Sequence, residues 1–97
     1  MNIGLSIRKI RIEKGFAQGE FADMCGISQT SISQIERGAK RPNPVNLKKI
    51  CSALDVPEAI LYLYGLEQKD IPENKKDLYD VVYPSIEDMI RKLVQKD

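Results

Sequence analysis

The stretch of sequence that decides the fold covers residues 16–38 and reads FAQGEFADMCGISQTSISQIERG. It contains two helix starts of the same kind, in which an N-cap residue, Ala17 or Ser28, is flanked by apolar residues that can form a hydrophobic staple. The staple pairs are Phe16 with Phe21 and Ile27 with Ile32. Gly26 ends the first helix after about seven residues, so a tight turn leads directly into the second helix.

Two short helices joined by a tight turn that contains glycine form the helix-turn-helix arrangement. The second helix, predicted from Gln29 to Arg37, has an apolar face made by Ile32 and Ile35. At about 100° per residue, the opposite face carries uncharged hydrogen-bonding side chains with an arginine at its end. That row consists of Gln29, Thr30, Ser33 and Gln34, followed by Arg37. Glutamine can bond the edge of an adenine and threonine can contact the methyl group of thymine, so this face is suited to reading DNA bases.

Charge is distributed unevenly along the chain, although its total is only +1. Residues 1–65 carry nine basic and six acidic side chains, hence +3, whereas residues 66–97 carry six basic and eight acidic side chains, hence −2. Five basic residues and no acidic one lie between residues 37 and 54: Arg37, Lys40, Arg41, Lys48 and Lys49. This positive segment behind the predicted reading helix is either a local electrostatic footprint for an anionic partner or an ordinary solvated face, and both interpretations stay open.

The remaining apolar spacing is also helical, and we find no sustained alternation of the kind that predicts strands. The first helix is predicted from Ile3, with Asn2 as its N-cap, to Lys14. After a proline-containing loop, Asn43 is the N-cap of a fourth helix, whose apolar stripe comprises Leu47, Ile50, Cys51 and Leu54. A fifth short helix is predicted from Pro57 to Gly65. The sequence therefore predicts an all-α protein.

A longer pattern runs through these helices. It comprises Ile7, Arg11, Glu13-Lys14-Gly15, Gln18, Phe21-Ala22, Gly26-Ile27-Ser28, Ile32-Ser33, Ile35-Glu36-Arg37-Gly38, Arg41-Pro42, Leu47, Ile50, Ala53-Leu54 and Val56. In this order the residues resemble the Cro/C1-type (XRE-like) helix-turn-helix repressors of bacteria and phages, over about two thirds of the chain. The resemblance implies a five-helix, lambda-repressor-like DNA-binding domain in residues 1–65, followed by a linker and helical tail in residues 66–97.

The resemblance also implies roles for individual residues. It implies base contacts from Gln29, Thr30, Ser33 and Gln34, and phosphate contacts from Gln18, Ser28, Arg37, Lys40 and Arg41, which fix register without reading sequence. Arg11 and Glu36 match an ion pair that ties the first helix to the end of the third. As a partly exposed pair, it is expected to contribute about 1 kcal/mol or less to stability.

Two residues depart from the family pattern. Ala17 stands at the N-cap position where Ser or Thr is usual, and Gly19 stands inside the second helix where a strong helix former is usual. A missing cap costs about 1 kcal/mol, and glycine in place of alanine costs roughly the same. We therefore expect the second helix to be the weakest element of the domain.

The tail begins with a polar linker, residues 66–76. Residues 77–83 follow, and their spacing fits a short helix while their β-branched and aromatic content leaves a strand open. Pro84 is predicted to break the chain direction, and Ser85 with Asp88 forms a capping signature for a last helix. The apolar stripe of that helix comprises Ile86, Met89, Ile90, Leu93 and Val94 and runs toward Lys96.

This stripe needs a surface to cover it. On the first helix, Leu5 and Ile12 lie opposite the core face and are left outside the core. Three interpretations stay open: these two residues have no special role, the tail covers them, or the tail pairs with a second copy or another protein. The candidate interface residues are Leu5, Ile12, Ile86, Met89, Ile90 and Leu93.

Several functions are disfavoured by what the sequence lacks. There is no histidine, and Cys25 and Cys51 are far apart and lie on apolar helical faces, which predicts buried reduced thiols and no metal site. No nucleophile with a base partner or phosphate-binding glycine loop is visible, so we expect neither an enzyme nor a cofactor. No apolar run approaches the roughly 18 residues of a membrane span, and no signal peptide is visible, so the expected compartment is the cytoplasm.

The expected function is a sequence-specific regulator of transcription that binds double-stranded DNA. We expect it to be a dimeric repressor that reads a palindromic operator with its third helix in the major groove. The alternative is an antitoxin or scaffold module whose tail binds a protein partner and for which DNA binding is secondary.

Overall fold

The computed structural model describes residues 1–95, which form helices and contain no strand. The six α-helices are α1 (Ile3–Glu13), α2 (Gln18–Cys25), α3 (Gln29–Glu36), α4 (Pro44–Leu54), α5 (Glu58–Tyr64) and α6 (Lys76–Val94). Two short 3-10 helices, Gln68–Asp70 and Glu73–Lys75, lie within the segment predicted as a polar linker. The all-helical prediction is confirmed. Within residues 1–95, no helix is both long and apolar enough to cross a membrane.

The core is built from the apolar faces of all six helices. Its fully buried members include Ile7, Ile10, Phe21, Ile32, Ile35, Ile50, Leu54, Leu61 and Ile90. Side chains of this size each contribute about 1.5–3 kcal/mol when they are removed from water. Cys25 and Cys51 are buried and unbridged, as predicted, and burial raises the pKa of the Cys25 thiol to about 11.

Helix α1 approaches α3 so closely that it requires a glycine. A β-carbon at Gly4 would overlap the backbone carbonyl oxygen of Ile35. Helix α1 also has a polar contact with α5, because the buried Ser6 hydroxyl donates a hydrogen bond of 2.8 Å to the carbonyl oxygen of Leu61. Sequence spacing did not single out Gly4, since a close approach between helices leaves no local pattern.

Helix α2 has the ends that the sequence predicts. Ala17 is its N-cap and provides no side-chain hydrogen bond to the first turn. The predicted staple is present, because the rings of Phe16 and Phe21 stack with centroids 6.5 Å apart. Gly26 ends the helix with a φ of 67°, in the left-handed region where glycine avoids steric strain.

The predicted break at Pro84 is wrong. Helix α6 continues through it from Lys76 to Val94, so Ser85 is an interior residue and not an N-cap, and the strand interpretation of residues 77–83 is also wrong. A proline inside a helix removes the hydrogen bond to the carbonyl four residues earlier, here that of Asp80. Both Pro84 and Asp80 are exposed, so water can bond that carbonyl, and packing of the whole helix outweighs the loss.

Helix α6 is fixed to α5 by two stacked tyrosines. The Tyr83 hydroxyl donates to the carbonyl oxygens of Leu63, at 2.9 Å, and Tyr64, at 3.2 Å. The Tyr79 hydroxyl donates to the carbonyl oxygen of Leu66 at 2.9 Å. These carbonyls lie at or just beyond the end of α5, where helical partners become few. The Leu63 carbonyl also accepts a hydrogen bond from the Leu66 amide at 3.2 Å, so the tyrosines add to the bonding of this helix end.

The predicted apolar stripe of the tail divides into a buried and an exposed part. Ile90 and Val94 are buried within the same core as α1–α5, and Ile86 packs against it. Ile90 is therefore not available for an intermolecular interface, which corrects the prediction, because its own domain already covers it. The sequence pattern could not distinguish these neighbours, since all of them share one broad helical face. Lys96, where the stripe was predicted to end, lies outside the described residues.

Helix α6 contacts α1 but does not cover the outer residues of that helix. Leu5 is 36% exposed and Ile12 is 53% exposed. The interpretation that the tail buries these two residues is therefore wrong, and Ile12 remains on the surface.

We expect Ala17→Ser to raise the melting temperature. A serine at the N-cap would accept a hydrogen bond from the first turn of α2, which is worth about 1 kcal/mol, or about 4–8 °C in a domain of this size. Thermal unfolding followed by circular dichroism measures the change. Ser28→Ala is the matched control and should lower the melting temperature, because the Ser28 hydroxyl accepts a hydrogen bond from the Ser31 amide at 3.1 Å. An unchanged or lower value for Ala17→Ser would contradict the argument.

We expect stability to fall between pH 10 and pH 12 because of Tyr83. Burial raises its pKa to about 12 in the folded chain, against about 10 in an unfolded chain. In this window the unfolded chain loses the phenolic proton while the folded chain keeps it, so stability present below pH 10 is lost as the pH rises. In urea titrations at pH 8 and pH 11, Tyr83→Phe should lose less stability on going to pH 11 than the wild type. Equal losses would contradict the assignment.

Candidate nucleic-acid interface

Helices α2 and α3 meet at a tight turn that places the outer face of α3 on the surface. The inner face of α3 is held in the core by Ile32 and Ile35, which are at most 1% exposed. Of the residues predicted to contact bases, Gln29 and Thr30 are exposed, and Ser33 and Gln34 are partly exposed. All four lie on one helix, so the structure brings this predicted set together.

A buried ion pair ties α1 to the end of α3. The Arg11 Nε donates to Glu36 Oε2 at 2.8 Å and its Nη2 donates to Glu36 Oε1 at 3.0 Å. The third arm of the guanidinium, Nη1, donates to the carbonyl oxygen of Phe16 at 2.8 Å. Arg11 therefore joins α1, the start of α2 and the end of α3 at one point.

The exposure expected for this pair is wrong. The side chains of Arg11 and Glu36 are only 11% and 2% exposed. The interaction is bidentate and largely shielded from water, so the small value typical of surface pairs does not apply. Removal of one partner from a buried pair leaves an uncompensated charge and typically costs about 3–5 kcal/mol.

A chain of side-chain hydrogen bonds extends from this ion pair to the first residue of α3. Gln18 Nε2 donates to Glu36 Oε1 at 3.3 Å, and Gln29 Nε2 donates to Gln18 Oε1 at 3.4 Å. Gln18, predicted as a phosphate contact, is thus also the link between the buried carboxylate and Gln29. Sequence reasoning placed these residues in separate roles, because their contact depends on how α2 and α3 pack.

Gly19 makes room for this chain. A β-carbon at Gly19 would lie 3.2 Å from Gln29 Oε1, closer than ordinary contact. The sequence identified Gly19 only as a weak helix former. The structure shows that a larger residue at this position would crowd Gln29, which helix propensity alone does not indicate.

The predicted phosphate-contacting residues lie around the same surface. Ser28 is exposed at the N-cap of α3, and Arg37, Lys40 and Arg41 are exposed beyond its last turn. Arg37 Nε donates to the carbonyl oxygen of Ser33 at 3.3 Å. Within the part of the chain that the structure describes, these three basic side chains form no salt bridge. Their charge is therefore directed at solvent beside the outer face of α3.

An exposed polar face on α3 with basic residues beside it agrees with what comparison to known proteins shows. The family model described as Helix-turn-helix matches residues 7–61 of this chain. The chain belongs to the Cro/C1-type helix-turn-helix family. This family consists of DNA-binding transcription regulators and not of enzymes. The match begins in α1 and ends in α5, so it contains every residue of the candidate interface.

Several curated relatives of this helix-turn-helix protein are similar over most of its length. The Neisseria hypothetical transcription factor of Neisseria meningitidis serogroup B is 31% identical over 75 residues, 77% of this chain and 71% of that protein. SinR, an HTH-type transcriptional regulator of Bacillus licheniformis, is 35% identical over 72 residues, 73% of this chain and 61% of SinR. RghR, an HTH-type transcriptional repressor of Bacillus subtilis, is 33% identical over 66 residues, 66% of this chain and 49% of RghR. The chain thus matches about half the length of RghR.

Among residues 1–95, no three His, Cys, Asp or Glu side chains are grouped so that they could hold a metal ion.

We expect a double-mutant cycle to show strong coupling between Arg11 and Glu36. Arg11→Met and Glu36→Met should each lower the free energy of unfolding by about 3–5 kcal/mol, because each leaves a buried charge without its partner. The double variant should lose much less than the sum, since it buries no charge. Urea denaturation measures the free energy of unfolding of the wild type, the two single variants and the double variant. Additive losses would show that the two side chains do not stabilise each other.

Proposed function

We propose that this chain is a dimeric repressor of transcription that reads a palindromic operator with α3 in the major groove. The observation that carries the proposal is the outer face of α3, which presents neutral hydrogen-bonding side chains while Ile32 and Ile35 anchor its inner face. A B-DNA major groove admits an α-helix, and its base pairs differ in the donors and acceptors they present.

In this proposal, Gln29, Thr30, Ser33 and Gln34 contact base edges. Gln29 and Gln34 have the amide groups that can donate to and accept from adenine. Gln29 is also restrained by its hydrogen bond to Gln18. A restrained side chain loses less conformational freedom when it binds, so we infer that Gln29 is the better ordered of the two readers.

Phosphate contacts fix the position of α3 on the DNA. We assign them to Gln18, Ser28, Arg37, Lys40 and Arg41, which border α3 at its two ends. The three basic residues supply affinity that depends on salt but not on base sequence. Neutral donors such as Gln18 and Ser28 help to fix the position of α3 along the DNA, because their hydrogen bonds require specific distances.

Dimerisation and repression are the finer parts of the proposal. One α3 contacts only a few base pairs, and a second copy related by two-fold symmetry doubles these contacts on half-sites about 34 Å apart. One similar protein, RghR, is named a repressor. We propose that this protein also represses transcription, by occupying its operator, and that it does so in the cytoplasm. The antitoxin or scaffold alternative has less support, since the similar proteins are named as transcription factors, regulators or repressors.

Selection of binding sites from random DNA duplexes at fixed salt tests sequence-specific recognition. We expect enrichment of a palindromic site, and Gln29→Ala with Gln34→Ala should weaken binding to that site while binding to random DNA stays the same. Each bidentate base contact is worth about 1–3 kcal/mol, so the double variant should lose at least tenfold in affinity.

Gln95→Ala is the matched control for the glutamine substitutions, because Gln95 lies at the end of α6. It should bind the selected site as the wild type does. No enrichment of any site, together with a steep dependence of binding on salt, would mean that the protein binds phosphates without reading sequence and would refute the proposal.

A further inference from the structure

Helix α6 carries an apolar stripe that no other part of residues 1–95 covers. Its members are Leu78, Val82, Met89 and Leu93, which are 59%, 44%, 49% and 63% exposed. They lie within about 60° of one another around the helix and extend for about 22 Å along it. We call these four residues the outer stripe. No charged residue lies in this sector of α6 between Leu78 and Leu93.

The outer stripe has a spacing that reads the same in both directions. Its members are separated by four, seven and four positions, and the midpoint falls between Ser85 and Ile86. A two-fold axis at that point would place Leu78 opposite Leu93 of a second copy, and Val82 opposite its Met89. Such a match is what an isologous interface requires, because each contact must then occur twice.

The two halves of the outer stripe also have different surroundings. The first half borders an apolar groove of about 280 Å³, whose walls include Leu66, Ile71 and Ile86. Met89 and Leu93 lie in the second half, outside this groove. In the antiparallel arrangement, Met89 and Leu93 of each copy face the groove of the other. Methionine adapts well to irregular apolar surfaces, which suits it to this contact.

We propose that the outer stripe binds a second copy of this chain, with the two α6 helices antiparallel about an axis between Ser85 and Ile86. The proposal rests on the dimeric form of the proposed function and names the surface that makes the dimer. Helix α6 contacts α1, α5 and the two 3-10 helices, whereas the candidate DNA interface lies on α2 and α3. Dimerisation through α6 therefore leaves α3 free to enter a major groove.

The interface is small. A stripe of about 22 Å on a helix about 10–12 Å wide offers on the order of 250 Å² per chain before the groove walls are counted. Standard stable interfaces bury about 800 Å² per partner. We therefore expect a reversible dimer, whose formation on an operator is favoured because DNA holds two copies close together.

Neighbouring valines provide a matched test. Val82 belongs to the outer stripe, whereas Val81 is 76% exposed and lies about 100° away around α6. In sedimentation equilibrium over a concentration series, Val82→Glu should weaken dimerisation roughly tenfold or more, because it buries a charge in an apolar contact. Val81→Glu should dimerise as the wild type does. Circular dichroism of each variant checks that the fold is retained.

A charge pair tests the register. Met89→Lys alone should also weaken dimerisation, but Val82→Glu combined with Met89→Lys should restore it, because each glutamate then faces a lysine of the other copy. Within one chain the two positions are seven residues apart, or about 10 Å along the helix, so they do not pair locally. If the two helices were parallel, each glutamate would face a glutamate and each lysine a lysine. Dimerisation of the double variant would then not be restored.

Three results would overturn the proposal: a monomeric wild type throughout the concentration series, a Val82→Glu variant as dimeric as the wild type, or no restoration in the double variant. None of them removes the enrichment of a half-site in the selection experiment, which depends on α3, although a monomeric wild type would also contradict the expected palindromic symmetry of that site. Conversely, loss of enrichment with intact dimerisation would refute sequence-specific reading and leave the outer stripe as the dimer surface.

Discussion

The ion pair between Arg11 and Glu36 is the interaction on which the geometry of the candidate DNA interface depends. It joins three helices through two side chains that are buried, and its carboxylate also accepts a hydrogen bond from Gln18. Gln18 in turn orients Gln29 at the start of α3. The buried charge therefore has two effects: it stabilises the packing of α1 on α3, and through Gln18 it restrains a side chain proposed to read bases.

Elements with strong local signals could be predicted from the sequence. The ends of α2 and α3 follow from caps, staples and Gly26, all of which act over five residues or fewer. The outer face of α3 follows from helical periodicity, and the Cro/C1-type resemblance added roles for its side chains. The proposed contacts to bases and phosphates remain predictions, since they depend on a DNA molecule.

Features that depend on contacts between distant residues could not be predicted. Gly4 leaves room for the Ile35 carbonyl, and Gly19 leaves room for the Gln29 side chain. Local sequence patterns do not reveal either neighbour. The continuity of α6 through Pro84 is a similar case. Local chemistry favours a break there, but the tyrosine hydrogen bonds and the burial of Ile90 hold both halves of the helix against one domain.

The burial of both cysteines makes this protein convenient to label. Cys25 and Cys51 are the two thiols of the sequence, and burial raises the pKa of each, so little reactive thiolate forms at neutral pH. A cysteine introduced at an exposed position of α3 would react much faster than either native thiol. Fluorophores or crosslinkers could then be attached beside the DNA without first replacing core residues, whose substitution would cost stability.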